Sequence, residues 1–389
     1  MKKARLVLFC LIVLAITGGA GQVARAEAEL SPPAYLTVVD EDGRHLMVTG
    51  HSLRPGDEFL SAENRRYRVL RVENARAVAR LIGEEDLSAL LTPQDEEAIA
   101  RIRAAGGPAQ ITGRPALPGG RPPLPAQAAQ KVVGIYHTHS DESYEPTQGT
   151  SSVEGRGGVY HVGDSLAARL KEKGLTVQHD QSLYLPHDGR AYDRSRRGAV
   201  SLAASRPLAI LDVHRDSGPA EEYVRPVSGE RASQVMIVVG RQNPQVQANS
   251  SFAERIKAVA DRLHPGLVRG ILYTSGKFNQ DVYPRNVLIE VGTEKVDQGL
   301  AQRGAALLGD VIPIAAGAVS PAVGGAREGA GALRSLLWIL GIGAVGGAAY
   351  LWLSTGSWQE ARRKLRSVVG EITVAPGRRQ GDRDREDRR

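Results

Sequence analysis

The chain has 389 residues, 42% hydrophobic and 24% charged, which is enough apolar material for two folded units with appendages and excludes a chain disordered throughout. Its net charge of +7 suits an anionic cell envelope better than nucleic acid, because much of the excess lies in the two ends and the first of them reads as an export signal. Cys10, the only cysteine, lies inside that signal, so neither disulfides nor thiolate metal sites hold the remainder together.

Residues 1–26 combine a basic start, an apolar run of about a dozen residues and a small-x-small end at Ala24-Arg25-Ala26, the pattern of a secretory signal cleaved after Ala26. Left uncleaved, the segment can serve as a membrane anchor, although it is short for a span. Residues 27–104 hold short alternating runs broken by Asp-Gly and Pro-Gly-Asp turns, predicting a small β-rich N-terminal domain. His45 and His51 fall in it without acidic neighbours at metal spacing and read as surface residues. Residues 105–130, rich in Gly, Pro and Ala, predict a linker and a domain boundary near Lys131.

Residues 131–316 alternate almost wholly apolar strands with helices such as "VYHVGDSLAARLKEKG", where Val159, Val162, Leu166 and Leu170 share a stripe. The pattern predicts an α/β catalytic domain, a largely parallel or mixed sheet with helices on both faces. Ligands bind such sheets beyond the carboxyl ends of the strands. "GIYHTHSDESYEP" puts His137 and His139 at the end of one strand, "LAILDVH" ends on His214, and Glu290 lies near the end of "NVLIEV". Two imidazoles and a carboxylate, with a fourth position left for water, are the donors of a catalytic Zn²⁺.

His139 and Glu142 form an H-x-x-E pair within reach of one ion, and His214 completes the set. Glu154 and Glu145 compete for the carboxylate position, and His137 for that of His139. Zinc activates water and polarises a carbonyl, so amide hydrolysis then needs a proton carrier. Glu290, on an apolar strand that raises its pKa, suits that role. Arg215 and Asp216 orient substrate or support the neighbouring ligand histidine.

Residues 317–334 read as a second linker. In 335–354, an uncharged apolar run with Trp338 near one end and Tyr350, Trp352 and, just beyond, Trp358 near the other predicts a single transmembrane helix with an aromatic belt. The tail 355–389 begins with a basic cluster, Arg362, Arg363, Lys364 and Arg366, which belongs in the cytoplasm. The expected location is the cell membrane, with the catalytic segment extracytoplasmic.

The stretches "GIYHTHSDESYEP", "LAILDVHRDSG", "VVGRQNP" and "FNQDVYPRNVLIEVGT", in that order, resemble the stage II sporulation protein P family over about residues 131–310. The resemblance implies an N-acetylmuramoyl-L-alanine amidase-like fold and zinc-dependent hydrolysis of the amide between N-acetylmuramic acid and L-alanine in peptidoglycan, with cross-link endopeptidase activity besides. It also implies a role in membrane migration during endospore engulfment, beside stage II sporulation proteins D and M. Carried over by motif, the metal and catalytic positions are His139, Glu142, His214 and Glu290. A signal combined with a carboxyl-terminal span departs from the amino-terminal anchor of the family, which touches anchoring and leaves the chemistry. Two other readings fit the same residues: a zinc carboxypeptidase-like cell-wall peptidase, and a non-catalytic envelope scaffold that binds glycan.

Overall fold

A computed structural model describes residues 35–104 and 131–318. Five amino-terminal strands, β1 (Leu36–Asp40), β2 (His45–Thr49), β3 (Glu58–Ser61), β4 (Arg65–Glu73) and β5 (Arg76–Glu84), precede helix α1 (Pro93–Ala104). After residue 130 come β6 (Val132–Tyr136), α2 (Val159–Glu172), β7 (Thr176–His179), α3 (Ala191–Ala204) and β8 (Ala209–Asp216). The chain continues through a hairpin of β9 (Val224–Val227) and β10 (Glu230–Ser233), then β11 (Val235–Gly240), α4 (Val246–Leu263), β12 (Val268–Thr274), β13 (Asn286–Thr293) and α5 (Gln298–Ala315).

Eleven strands form one mixed sheet in the order β2-β1-β5-β4-β3-β12-β11-β13-β8-β6-β7. Strands β6, β8, β11, β12 and β13 are buried at every position, as expected of central strands covered on both faces. Alternation along β6 shows the two layers. Ile135 joins the main core with α2, α4 and α5, while its neighbour Tyr136 packs with Ala199 and Leu202 of α3 on the opposite face. Val159, Val162, Leu166 and Leu170 form the buried stripe of α2, as their spacing predicts. Because β7, β6, β8 and β13 run parallel, their carboxyl ends share one edge, and the site lies there.

Two parts of the expected fold class need correction. The amino-terminal strands are not a sheet of their own: β3 pairs antiparallel with β12, Leu60 opposite Ile271, so β1–β5 extend the sheet built by residues 131–318. A Cβ on Gly270 would meet the Phe59 ring at 2.4 Å, so glycine is what lets β3 lie so close. The physical reason is that β12 would otherwise be a bare, apolar edge. The expected transmembrane helix is the second correction. Among the described residues no helix is long and apolar enough to cross a membrane, and 335–354 lie outside them. The signal at 1–26, the linker at 105–130 and the tail at 355–389 also lie outside the described residues.

Candidate metal centre

Beyond β6 the chain stays buried from His137 to Tyr144, unusual for so polar a loop, and every turn of it is tied down. The Thr138 N–H and hydroxyl donate to Asp212 at 2.9 and 2.6 Å. The Gly157 and Val159 amides donate to the Ser140 and Glu142 carbonyls at 2.9 and 3.0 Å, so the start of α2 clamps the loop. A Cβ on Gly157 would fall 2.1 Å from the Glu142 carbonyl oxygen, a distance that only glycine permits.

This clamp places Glu142 Oε1 3.3 Å from His139 Nδ1 and 3.5 Å from Nδ1 of His214, which projects from β8. One donor atom from each of the three lies within 4.8 Å of the others, and all three residues are buried. Burial works against charge on Glu142, but His214, His139 and Arg215 hold its carboxyl well below the usual carboxylate range. Burial likewise opposes charge on His214, yet Asp212 and Glu142 on its two sides raise it well above the ordinary histidine value.

The donor set fits a metal ion on a direct observation. Nδ1 of His214 is fully buried, lacks a well-formed hydrogen bond and faces a carboxylate. An imidazole so placed is costly unless a cation satisfies it. Its Nε2 lies 2.9 Å from Asp212 Oδ1, a charge contact without hydrogen-bond alignment, and Thr138 fixes that carboxylate. A carboxylate behind a ligand histidine is the usual outer support of zinc sites.

Glu290 sits on β13 in register with His214. Its Oε1 is 2.8 Å from Nε2 of His51, and its buried Oε2 has no hydrogen-bond partner among the described residues. Burial pushes the Glu290 carboxyl up to about 7, with the His51 hydrogen bond opposing the rise. His51 is therefore a buried neighbour of the site and not the surface residue its sequence context suggests. No spacing pattern could have shown this, since the two residues are 239 positions apart.

Arg215 supports the site by its backbone, whose N–H donates to Glu142 Oε2 at 3.0 Å. Its guanidinium reaches the Ser151 carbonyl at 3.2 Å. Asp216 accepts hydrogen bonds from Gly50 N at 2.6 Å, Ser217 N at 2.8 Å and the Tyr223 hydroxyl at 2.8 Å, which fastens the turn after β2 to the end of β8.

The rival ligands are placed elsewhere. His137 has Nδ1 on the Val213 carbonyl and Nε2 on His179, each at 2.8 Å, and burial lowers its pKa to about 3, so it stays neutral. Glu154 is exposed, and Glu145 pairs with Lys295. A second residue outside the sequence-based set, besides His51, joins the site: the His187 ring stacks on His139 with centroids 3.9 Å apart and lies 3.1 Å from Asp141.

Residues 73–313 match the family model of stage II sporulation protein P. The stage II sporulation protein P of Bacillus subtilis (strain 168) is 32% identical over 203 residues, 47% of this chain and 50% of the relative, so the chain spans about half the length of the curated relative it matches. Among solved structures, the CwlD amidase from Clostridioides difficile in complex with the GerS lipoprotein aligns with a TM-score of 0.34 and 11% identity, over 49% of this chain and 100% of that one. The N-acetylmuramyl-L-alanine amidase Ami1 from Mycobacterium smegmatis aligns with a TM-score of 0.31 and 14% identity, over 48% and 97%. Since the family match takes in all but the first strands of the described fold and more than half of the sequence, the chain belongs to the stage II sporulation protein P family.

Proposed function

We propose that this chain is a zinc-dependent peptidoglycan hydrolase that cleaves the amide between N-acetylmuramic acid and L-alanine during endospore engulfment. Family membership supports the substrate polymer, and the buried His139, Glu142 and His214 cluster carries the chemistry. Zn²⁺ held there would supply Lewis acidity and a water of lowered pKa. Glu290 would take the proton of the attacking water on its open Oε2 and pass it to the leaving nitrogen, the role a carboxyl of raised pKa fits best. The Arg215 backbone would hold Glu142 in place through Oε2. On this reading cross-linked stem peptides are a second substrate, stage II sporulation proteins D and M are partners, and the chain works on the outer side of the cell membrane, where the polymer lies.

Metal analysis joined to mass spectrometry of digested peptidoglycan tests the reading. Stoichiometric zinc and glycan products with free lactyl carboxyl groups are expected. Products that keep the lactyl-alanine amide, or a zinc-free protein of full activity, would overturn it.

A further inference from the structure

Resting on that reading of Glu290, we propose that His51 is its positioning residue, so that the reaction centre is complete only with the amino-terminal strands in place. The sheet order makes the contact unexpected. Seven strand-to-strand steps separate β2 from β13, and in a flat sheet at ~4.8 Å per step they would lie ~34 Å apart. Nevertheless His51 Nε2 meets Glu290 Oε1 at 2.8 Å. Strands β1–β5 therefore roll over the carboxyl-end edge of the central strands and return β2 to the site.

Several independent contacts hold that return. Asp216 takes the Gly50 N–H at 2.6 Å and the Thr49 hydroxyl at 3.2 Å, and Arg269 of β12 reaches the Val48 carbonyl at 3.4 Å. The approach is so close that a Cβ on Gly50 would meet the Ser217 Cβ at 2.9 Å. The turn is built to bring one side chain, His51, to one carboxylate.

The pairing is not simple burial of opposite charges. A glutamate kept only for structure would have both oxygens satisfied, because an unpaired buried carboxylate oxygen is costly. Here Oε1 is held and Oε2 is left without a partner among the described residues. One oxygen fixed and the other open is the arrangement of a carboxylate aimed at a reactant. A His51 ring on Oε1 fixes the rotamer of Glu290 and thereby the direction of Oε2.

The test uses the full zinc-loaded chain on a soluble muropeptide. His51→Ala should lower kcat by about 10- to 100-fold, the usual cost of losing an outer partner, with KM and zinc content unchanged. His51→Gln, whose amide N–H can stand where Nε2 stood, should recover most of the loss. Combined with Glu290→Gln, His51→Ala should add nothing, since the group it positions is already gone. In the metal-free protein, the ring-nitrogen NMR signals of His51 should move on Glu290→Gln. Unchanged kcat in His51→Ala, or an additive loss in the double variant, would remove His51 while leaving Glu290 its role. Full activity in Glu290→Gln would overturn the base reading and this one with it.

Discussion

His214 lies between two carboxylates, Asp212 at 2.9 Å and Glu142 at 3.5 Å, an environment that calls for positive charge whether proton or metal supplies it. Replacing either histidine of the cluster should disarm the domain at a cost in stability, since it leaves buried carboxylates without their cation: His139→Ala and His214→Ala are expected to lose stoichiometric zinc and activity, with native circular dichroism but a lower melting temperature. Full zinc occupancy in both variants would move the metal elsewhere. Glu290→Gln should keep zinc while cleavage falls by about 10² to 10⁴, the range for a general acid–base group. Its acidity also sets a pH dependence. Burial raises the carboxyl from 4.5 to about 7, and only the ionised form accepts a proton, so kcat/KM falls as pH drops through that pKa. The charge of a bound cation lowers it, so at saturating zinc the acid limb lies below about 7. Profiles taken at saturating zinc should show this limb, and the same limb in Glu290→Gln would assign it to another group. The cluster of His139, Glu142 and His214 was legible in the sequence because each residue ends or follows an apolar strand of the same parallel set. His51 was not, because the residues around it record a turn and say nothing of what the turn folds against.

The clamp between α2 and the ligand loop is the element on which Glu142 depends. Gly157→Ala would thrust a methyl group against the Glu142 carbonyl, 2.1 Å from where the Cβ must sit, so the loop has to move. The expected result is a folded protein whose zinc affinity, measured by chelator competition, falls about 10- to 100-fold, as when outer supports of a metal ligand are lost. Wild-type affinity in that variant would show that the loop yields without carrying Glu142 with it. Continuous apolar runs made β6, β8, β11 and β13 readable, since only doubly covered strands can dispense with alternation. The pairing of β3 with β12 was beyond reach: alternation in β4 announces a half-buried strand, but no local pattern names a partner some two hundred residues away.

At the scale of the molecule, the amino-terminal strands and those of residues 131–318 share one sheet and one hydrophobic core. Arg255 of α4 grips Asp95 of α1 at 2.8 Å, and Arg66 of β4 reaches Glu254 at 3.1 Å, in addition to the β3 and β12 ladder. A fragment of residues 131–318 would lose these pairs and bare the edge of β12, a strand buried at every position in the full fold. It is expected to aggregate on expression, and a soluble fragment with native circular dichroism would instead establish an independent domain. The rolled sheet also imposes an order in time. His139, Glu142 and His214 come together within the stretch from β6 to β8, whereas His51 and Glu290 must find each other across 239 positions, the kind of long-range closure that comes late in folding. On the proposed function, a refolding chain should thus take up zinc before it gains activity, and the lag between the two, followed by stopped-flow zinc uptake and hydrolysis, measures how long the chain would stay metal-loaded but unable to cleave its polymer.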